Sequence, residues 1–321
     1  MKRLGNLYSK IISVENLYLA DACASRGKAH QYGVQVHNAR RDQNLWELHQ
    51  ALHGGEYRTS QYETFKIYEP KEREIFRLPF YPDRIVHHAV LGILEPIFKA
   101  HFTADTYACI KGRGIHAAVR KLKTALEDRS GTIYCLKLDI RKFYPSVDHD
   151  ILKAQLARKF KDPSLLAMLG EIIDSAPGLP IGNYLSQYFA NFYLSGLDRW
   201  LKEVKGVRYY FRYADDLVIL GEDKTALHRL RADIAIYLAD RLRLEVKGNY
   251  QVFPVAVRGI DFVGYRFYHT HVLMRKRIKQ RFARAVRRGV GAQSIASYRG
   301  WASHCNSKHL ITTLLGKEIE A

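Results

Sequence analysis

Acids are scarce in this sequence. Its 321 residues hold 32 Asp and Glu against 51 Lys and Arg, a formal net charge of +19. That imbalance excludes a partner surface as basic as the chain itself and points to a polyanion, with a nucleic-acid backbone as the natural match. Cysteines are few as well. Cys23, Cys109, Cys135 and Cys305 form no CxxC pair, so neither a disulfide framework nor a thiolate zinc site is expected, and a reducing, cytoplasmic setting fits. The histidine pairs His87/His88 and His269/His271 lack a cysteine or carboxylate at zinc-like spacing and read as solvated or stacking rings. No apolar run is long enough to span a bilayer, no signal peptide is expected, and no internal repeat or low-complexity linker interrupts the chain.

What is present is a core-forming composition, 47% hydrophobic and 12% aromatic, enough for two or three subdomains. Rings combined with cations are the usual means of holding single strands. Helical patterns run over Val14 to Ala24, Asn44 to Leu52, Asp83 to Phe98, Asp150 to about Asp174, Ser186 to Lys202 and Leu227 to Leu242. Alternation from Phe65 to Ile75 around Pro70-Lys71 predicts a hairpin with charged tips. Tyr107 to Arg113 reads as extended, Thr132 to Asp139 as a buried strand ending on an acid, and Gly259 to Phe267 as strand again. This mixture predicts an α+β protein rather than a doubly wound sheet.

The acids that remain carry the strongest signal. Asp215-Asp216 sits between Phe211-Arg212-Tyr213-Ala214 and Leu217-Val218-Ile219-Leu220. Adjacent carboxylates usually mark a solvated turn. Here both flanks would bury, which forces two like charges together at a tight hairpin, a cost that a bound cation offsets. Asp139 supplies a third acid. Such a set suits two-metal nucleotidyl transfer, in which ions about 4 Å apart clamp the attacking and leaving oxygens. Two magnesium ions are expected, with manganese able to substitute. Asp139, assisted by the carbonyl of Ile140, would bridge both ions, Asp215 would be the second bridging acid, and Asp216, the third acid of the metal-holding set, would lie nearest the primer 3′ hydroxyl.

Tyr213-Ala214-Asp215-Asp216 resembles the YxDD box of reverse transcriptases. Further segments follow in that family's order over nearly the whole chain: Lys71 to Ile75, Asp83 to Val86, Tyr107 to Gly114, Leu138 to Tyr144, Gly178 to Gln187 with Ala190-Asn191, Leu244 to Lys247, and Gly259 to Tyr265. The resemblance implies a right-hand polymerase fold. Residues 1–130 would form the N-terminal region and fingers, 131–268 an antiparallel-sheet palm carrying the acids, and 269–321 a short helical thumb. No RNase H acid set is evident, and no endonuclease or maturase extension is expected. Ile181-Gly182 and Ser186-Gln187 stand where group II intron and retroviral enzymes carry Gln-Gly and Ser-Pro. That form resembles the enzymes of diversity-generating retroelements, bacterial or phage-encoded, as do the stretches around Glu15-Asn16-Leu17, Gly27-Lys28 and Ser297 to Trp301.

The resemblance implies copying of a template-repeat RNA with errors at adenine, a basic, helical, oligomeric accessory variability protein as partner, and no membrane. Other bacterial reverse transcriptases, group II-intron-like or retron-like, are the alternative, and a non-catalytic RNA-binding scaffold is a further one. Lys71 and Arg73 are expected on the β/γ phosphates of the incoming dNTP, with Lys247 a further contact. Tyr144 would stack under the sugar and exclude a ribose 2′ hydroxyl, and Ile181 and Gln187 would line the nucleotide site. Arg113, in a Gly-Arg-Gly turn, would approach the template, and Gly264-Tyr265 the primer end. Arg275 to Arg288 holds eight cations and no acid. Arg277, Arg281, Arg284 and Arg288 recur there at helical spacing beside Ile278, Phe282 and Ala285, which predicts a helix lying along the phosphates of the RNA–DNA duplex.

Overall fold

The computed structural model describes residues 3–68 and 72–316. Lys71 and its neighbours Glu69 and Pro70 lie outside the described residues. The chain divides into two compact units, neither continuous in sequence. The first comprises Met1–Thr103, Arg141–Arg199 and Tyr237–Glu245; the second comprises Ala104–Ile140, Trp200–Ile236 and Val246–Ala321.

The first unit is mainly helical. Its central helix, Ile85–His101, buries Ile85, Val86, Ala89, Val90, Leu94 and Phe98. Phe98 meets the rings of Phe102, Phe160, Tyr188 and Phe192, which ties that helix to Ser186–Arg199. The span expected as one helix from Asp150 to Asp174 is two, His149–Lys159 and Pro163–Asp174. Pro163 cannot continue an earlier helix, and Asp162 caps the new one by accepting the Leu165 amide. His87 is buried rather than solvated or stacked, because it falls on the apolar face of its helix; burial pushes its pKa down to about 3 and keeps it neutral. His88 does stack, on Tyr184 at 4.5 Å. Strands β1 (Glu63–Ile67) and β2 (Arg73–Arg77) form the expected hairpin, antiparallel with Phe65 opposite Ile75.

The second unit is built on a four-stranded antiparallel sheet. Its strands are β3 (Tyr134–Asp139), β4 (Tyr209–Tyr213), β5 (Asp216–Gly221) and β6 (Gln251–Pro254), in the order β4-β5-β3-β6. A second sheet holds β7 (Ile260–Phe262), β8 (Tyr265–Phe267) and β9 (Val272–Met274). Cys135, Phe211, Val218 and Leu220 from the first sheet share one core with Ile260, Phe262, Tyr265 and Phe267 from the second and with Val119 and Leu122 of the helix Ile115–Ala125. Tyr107 to Arg113 is a chain of turns rather than extended, closed by the pairing of Ile110 with Arg113, because Cys109 and Gly112 both take positive φ. The basic tail opens with the helix Lys276–Arg287, followed by Ala292–Ala302 and Lys308–Leu315. No helix among the described residues is long and apolar enough to cross a membrane.

Candidate active site

All three sequence-predicted acids lie in the second unit. β3 and β5 pair so that Asp139 lies directly opposite Asp216. Asp215 belongs to the two-residue turn between β4 and β5, which Tyr213 and Asp216 close as a pair. A turn this short requires a positive φ, and Ala214 supplies it at 55°. For a residue with a Cβ that conformation costs about 1 kcal/mol. Arg212 offsets it. Its side chain is fully buried, and its guanidinium donates to the Ala214 carbonyl at 3.0 Å and to Thr106 Oγ1 at 3.4 Å. The Ile140 amide donates to the Asp215 carbonyl at 3.3 Å, so the turn is fastened to the end of β3 as well.

The electrostatics are those of acids crowded together. Burial, and then the charge of Asp139, push the Asp215 carboxyl up to about 6. Burial also raises Asp216, against the opposing effect of Lys137, whose ammonium lies 3.2 Å from Asp216 Oδ2. The other oxygen, Asp216 Oδ1, is buried without a hydrogen-bond partner. Lys247 donates its amide to the Asp139 carbonyl at 2.8 Å and holds its ammonium 3.5 Å from Asp139 Oδ2. Two buried carboxylates raised by burial and by the neighbouring charge of Asp139, together with an orphaned acidic oxygen, are the donor set a hard divalent cation satisfies. Among the described residues no three ligand-type side chains converge as a ready-made metal site. Asp139 and Asp215 form the nucleus of the cluster, and Asp216 is turned toward Lys137.

Of the residues expected on template and primer, Gly264 and Tyr265 are packed against Trp301. Val263 and Gly264 both take positive φ in the β7–β8 turn, and a Cβ on Gly264 would come within 2.4 Å of the Trp301 ring. Tyr265 is fully buried, and its hydroxyl donates to the Trp301 carbonyl at 2.8 Å. Arg113 is half-buried at the turn before Ile115–Ala125. In the basic helix Phe282 is buried and stacks on Tyr298 at 5.0 Å. Arg277, Arg284 and the capping Arg288 remain exposed, and Arg281 is half-buried.

The nucleotide-directed residues other than Lys247 belong to the first unit. Arg73 is exposed on β2, while its neighbour Glu72 pairs with Lys66 at 2.7 Å. The Phe76 amide donates to the Ile181 carbonyl at 2.8 Å, which stitches that strand to the loop before Ser186–Arg199. Ile181 is half-buried. Tyr144 opens a short 3-10 turn and donates its hydroxyl to Gln187 Oε1 at 2.7 Å, so these two expected residues do meet.

Two residues of the acid cluster's frame escape a reading based on motifs. Lys137 lies two positions before Asp139 and therefore on the same face of β3, a signal that strand alternation contains. Arg212 carries none: a lone arginine in a strand reads as exposed.

Residues 70–267 match the reverse transcriptase (RNA-dependent DNA polymerase) family. Protein YkfC of Escherichia coli is 25% identical over 269 residues, covering 69% of this chain and 69% of that protein. The retron Mx65 reverse transcriptase of Myxococcus xanthus is 26% identical over 265 residues, covering 73% and 59%. The group II intron-encoded protein LtrA of Lactococcus lactis is 23% identical over 177 residues, covering 51% and 29%. Among solved structures, apo telomerase from Candida tropicalis aligns with a TM-score of 0.50 and 11% identity over 66% of this chain. Telomerase from Candida albicans aligns with the same score and identity over 87% of it. The chain spans 48% and 62% of those two telomerase chains. That likeness shows the right-hand polymerase fold. With the family matched over more than half its length, the chain belongs to the reverse transcriptases.

Proposed function

We propose that the chain is an RNA-directed DNA polymerase that extends a DNA primer on an RNA template with dNTPs. The observation that carries this reading is the pairing of Asp139 with Asp216 across two strands, with Asp215 raised to about 6 in the turn beside them. Asp139, Asp215, Asp216 and the carbonyl of Ile140 would hold magnesium, with manganese able to substitute. Ions bound there would supply charge stabilisation of the phosphoryl oxygens. Asp216 is assigned to the side of the primer 3′ hydroxyl, and Arg212 keeps the turn in the geometry that presents Asp215.

Lys71 and Arg73 are assigned to the triphosphate; Tyr144, held by Gln187, to the sugar; and Ile181 to the base pair. Lys247 is assigned to Asp139 as much as to the triphosphate, since the ammonium already neighbours that carboxylate. Arg277, Arg281, Arg284 and Arg288 would follow duplex phosphates, which gives affinity without sequence preference. Arg113 is assigned to the template, and Gly264 and Tyr265 to shaping the primer site through packing. Magnesium-dependent primer extension on an RNA template tests the reading. Asp215→Ala and Asp139→Ala should abolish synthesis and leave RNA binding nearly intact.

The finer proposal is mutagenic copying of a template-repeat RNA, with an accessory variability protein as partner in a cytoplasmic ribonucleoprotein. Its support is the Ile181-Gly182 and Ser186-Gln187 form of the loop. Sequencing the cDNA made from a defined RNA decides it: errors concentrated at template adenine support it, and errors spread evenly over the four bases refute it. A second reading, a retron-like or group II-like enzyme, is favoured by the curated relatives. It predicts the even spectrum and full activity without an accessory protein.

A further inference from the structure

Lys137 does not belong to the acid set, yet it is the side chain most closely engaged with it. It shares a strand face with Asp139, and its ammonium reaches diagonally across to Asp216 Oδ2 at 3.2 Å. The same ammonium also donates to the main-chain carbonyl of Asp261 at the centre of β7. That second bond decides the direction of cause. A carbonyl inside a paired strand is fixed, so the ammonium is fixed whether or not Asp216 is there, and the carboxylate orients to the lysine rather than the reverse. Asp261 is itself braced, its carboxylate accepting from Arg275 Nε at 2.7 Å. Of the two Asp216 oxygens, one is therefore committed to Lys137 and the other, Oδ1, is buried with no partner.

We infer that Lys137 is a positioning residue: it holds Oδ2 of Asp216 and leaves the buried Oδ1 as that carboxylate's one unengaged oxygen, and it weakens the hold of the acid cluster on divalent cations. The inference rests on the proposed role of these acids in holding metal. Two ammonium groups, Lys137 and Lys247, stand against three carboxylates, and a cation arriving at the cluster meets that reduced charge. Removing one ammonium should tighten cation binding. It should also slow turnover, because Asp216 would be free to rotate and offer both oxygens. A lysine that merely supported the fold would weaken both.

The test is manganese binding to the nucleic-acid-free protein, followed by electron paramagnetic resonance, alongside single-turnover primer extension in magnesium. For Lys137→Met the manganese Kd should fall roughly fivefold, the effect of one unit charge near the site at partial screening. The extension rate should fall by about tenfold or more with the thermal midpoint little changed. Lys137→Arg keeps the charge and can still reach both oxygens, so its manganese affinity should match the parent and its rate should recover in part. Asp261→Asn keeps the carbonyl and should leave manganese affinity unchanged. Parent-like affinity and rate in Lys137→Met overturn the inference. So does weaker manganese binding with a lowered thermal midpoint, or a change in Asp261→Asn equal to that in Lys137→Met. Asp215→Asn separates the two levels: if it binds manganese as the parent does, the metal role of the acids fails. If it loses binding while Lys137→Met is unchanged, only the role of Lys137 fails.

Discussion

Replacing Asp215 with Asn should destroy activity and, without metal, stabilise the protein. Asp215 has a carboxyl raised from 3.8 to about 6 by burial and by Asp139. A raised acid prefers its neutral form in the folded state, so ionising it costs stability. The cost is absent below about pH 4, where the group is protonated both folded and unfolded. It grows between about pH 4 and pH 6, where only the unfolded chain has released its proton, and is complete above pH 6. A shift of that size corresponds to roughly 3 kcal/mol. Solvent at the turn and the buried amide of the replacement reduce what is recovered, so a gain of about 1–2 kcal/mol above pH 6 is expected. The assay is chemical denaturation of parent and Asp215→Asn from pH 4 to pH 8, with chelator and then with magnesium. The difference should open between pH 4 and pH 6 in chelator and shrink or reverse with magnesium, which only the parent binds well. A variant equal to or less stable than the parent at pH 8 in chelator would refute the account of crowded charge.

Tyr144→Ala should admit ribonucleotides, and Gln187→Leu should loosen the same discrimination by roughly fivefold, the effect of one hydrogen bond of about 1 kcal/mol; competition between rNTP and dNTP in primer extension measures both. Replacing Arg277, Arg284 and Arg288 with Gln should lower the slope of log affinity against log salt on an RNA–DNA duplex by about 2–3, with equal effect on unrelated sequences. Gly264→Ala should destabilise the protein by on the order of 2 kcal/mol or more in thermal or urea unfolding, because its Cβ would press into Trp301 and its φ is 92°. Ile181→Gln should shift the cDNA error spectrum if that side chain bears on base-pair placement; a spectrum identical to the parent's would remove Ile181 from that role.

The acids were legible because burial and charge conflict openly in the sequence: Phe211 and Leu217 demand the interior, and Asp215-Asp216 between them resists it. The β3 strand was legible from its apolar run ending on an acid, the β1–β2 hairpin from alternation, and the helix Lys276–Arg287 from its one-sided charge. What escaped depends on partners far away in sequence. Arg212 is buried with its guanidinium donating to Thr106, 106 residues away, as well as to the nearby Ala214 carbonyl, and no local pattern announces the distant partner. The Lys137 ammonium is held beside Asp216 by the Asp261 carbonyl, which β7 brings from 124 residues away. Tyr265, expected at the primer end, also places its ring in a core assembled from both sheets of its unit, which its motif does not announce. The break at Pro163 was readable locally and shows the reverse case, in which a helical period continues across a residue that cannot take part in it.

The loop from Pro177 to Gly182 carries Ile181, the side chain on which the proposed error spectrum turns. Its backbone leaves little freedom. Gly178 has φ 60°, and a Cβ there would lie 2.4 Å from the Tyr144 carbonyl oxygen. Gly182 has φ 115°, and a Cβ there would lie 2.5 Å from the Phe76 carbonyl oxygen. The Leu179 amide donates to the Tyr144 carbonyl at 2.8 Å, and the Ile181 carbonyl accepts from Phe76 at the same distance. His149 bridges the loop from outside, with Nε2 2.8 Å from the Gly178 carbonyl and Nδ1 3.0 Å from Asp174. Glycines and main-chain bonds thus fix the path at both ends, and neither bond to the main chain of residues 179 and 181 involves a side chain. The side chain of Ile181 is therefore free to change without moving the loop. A difference between isoleucine and glutamine at that position acts through the chemistry of one side chain on a constant backbone, which is the condition under which a single substitution alters fidelity while leaving the fold alone.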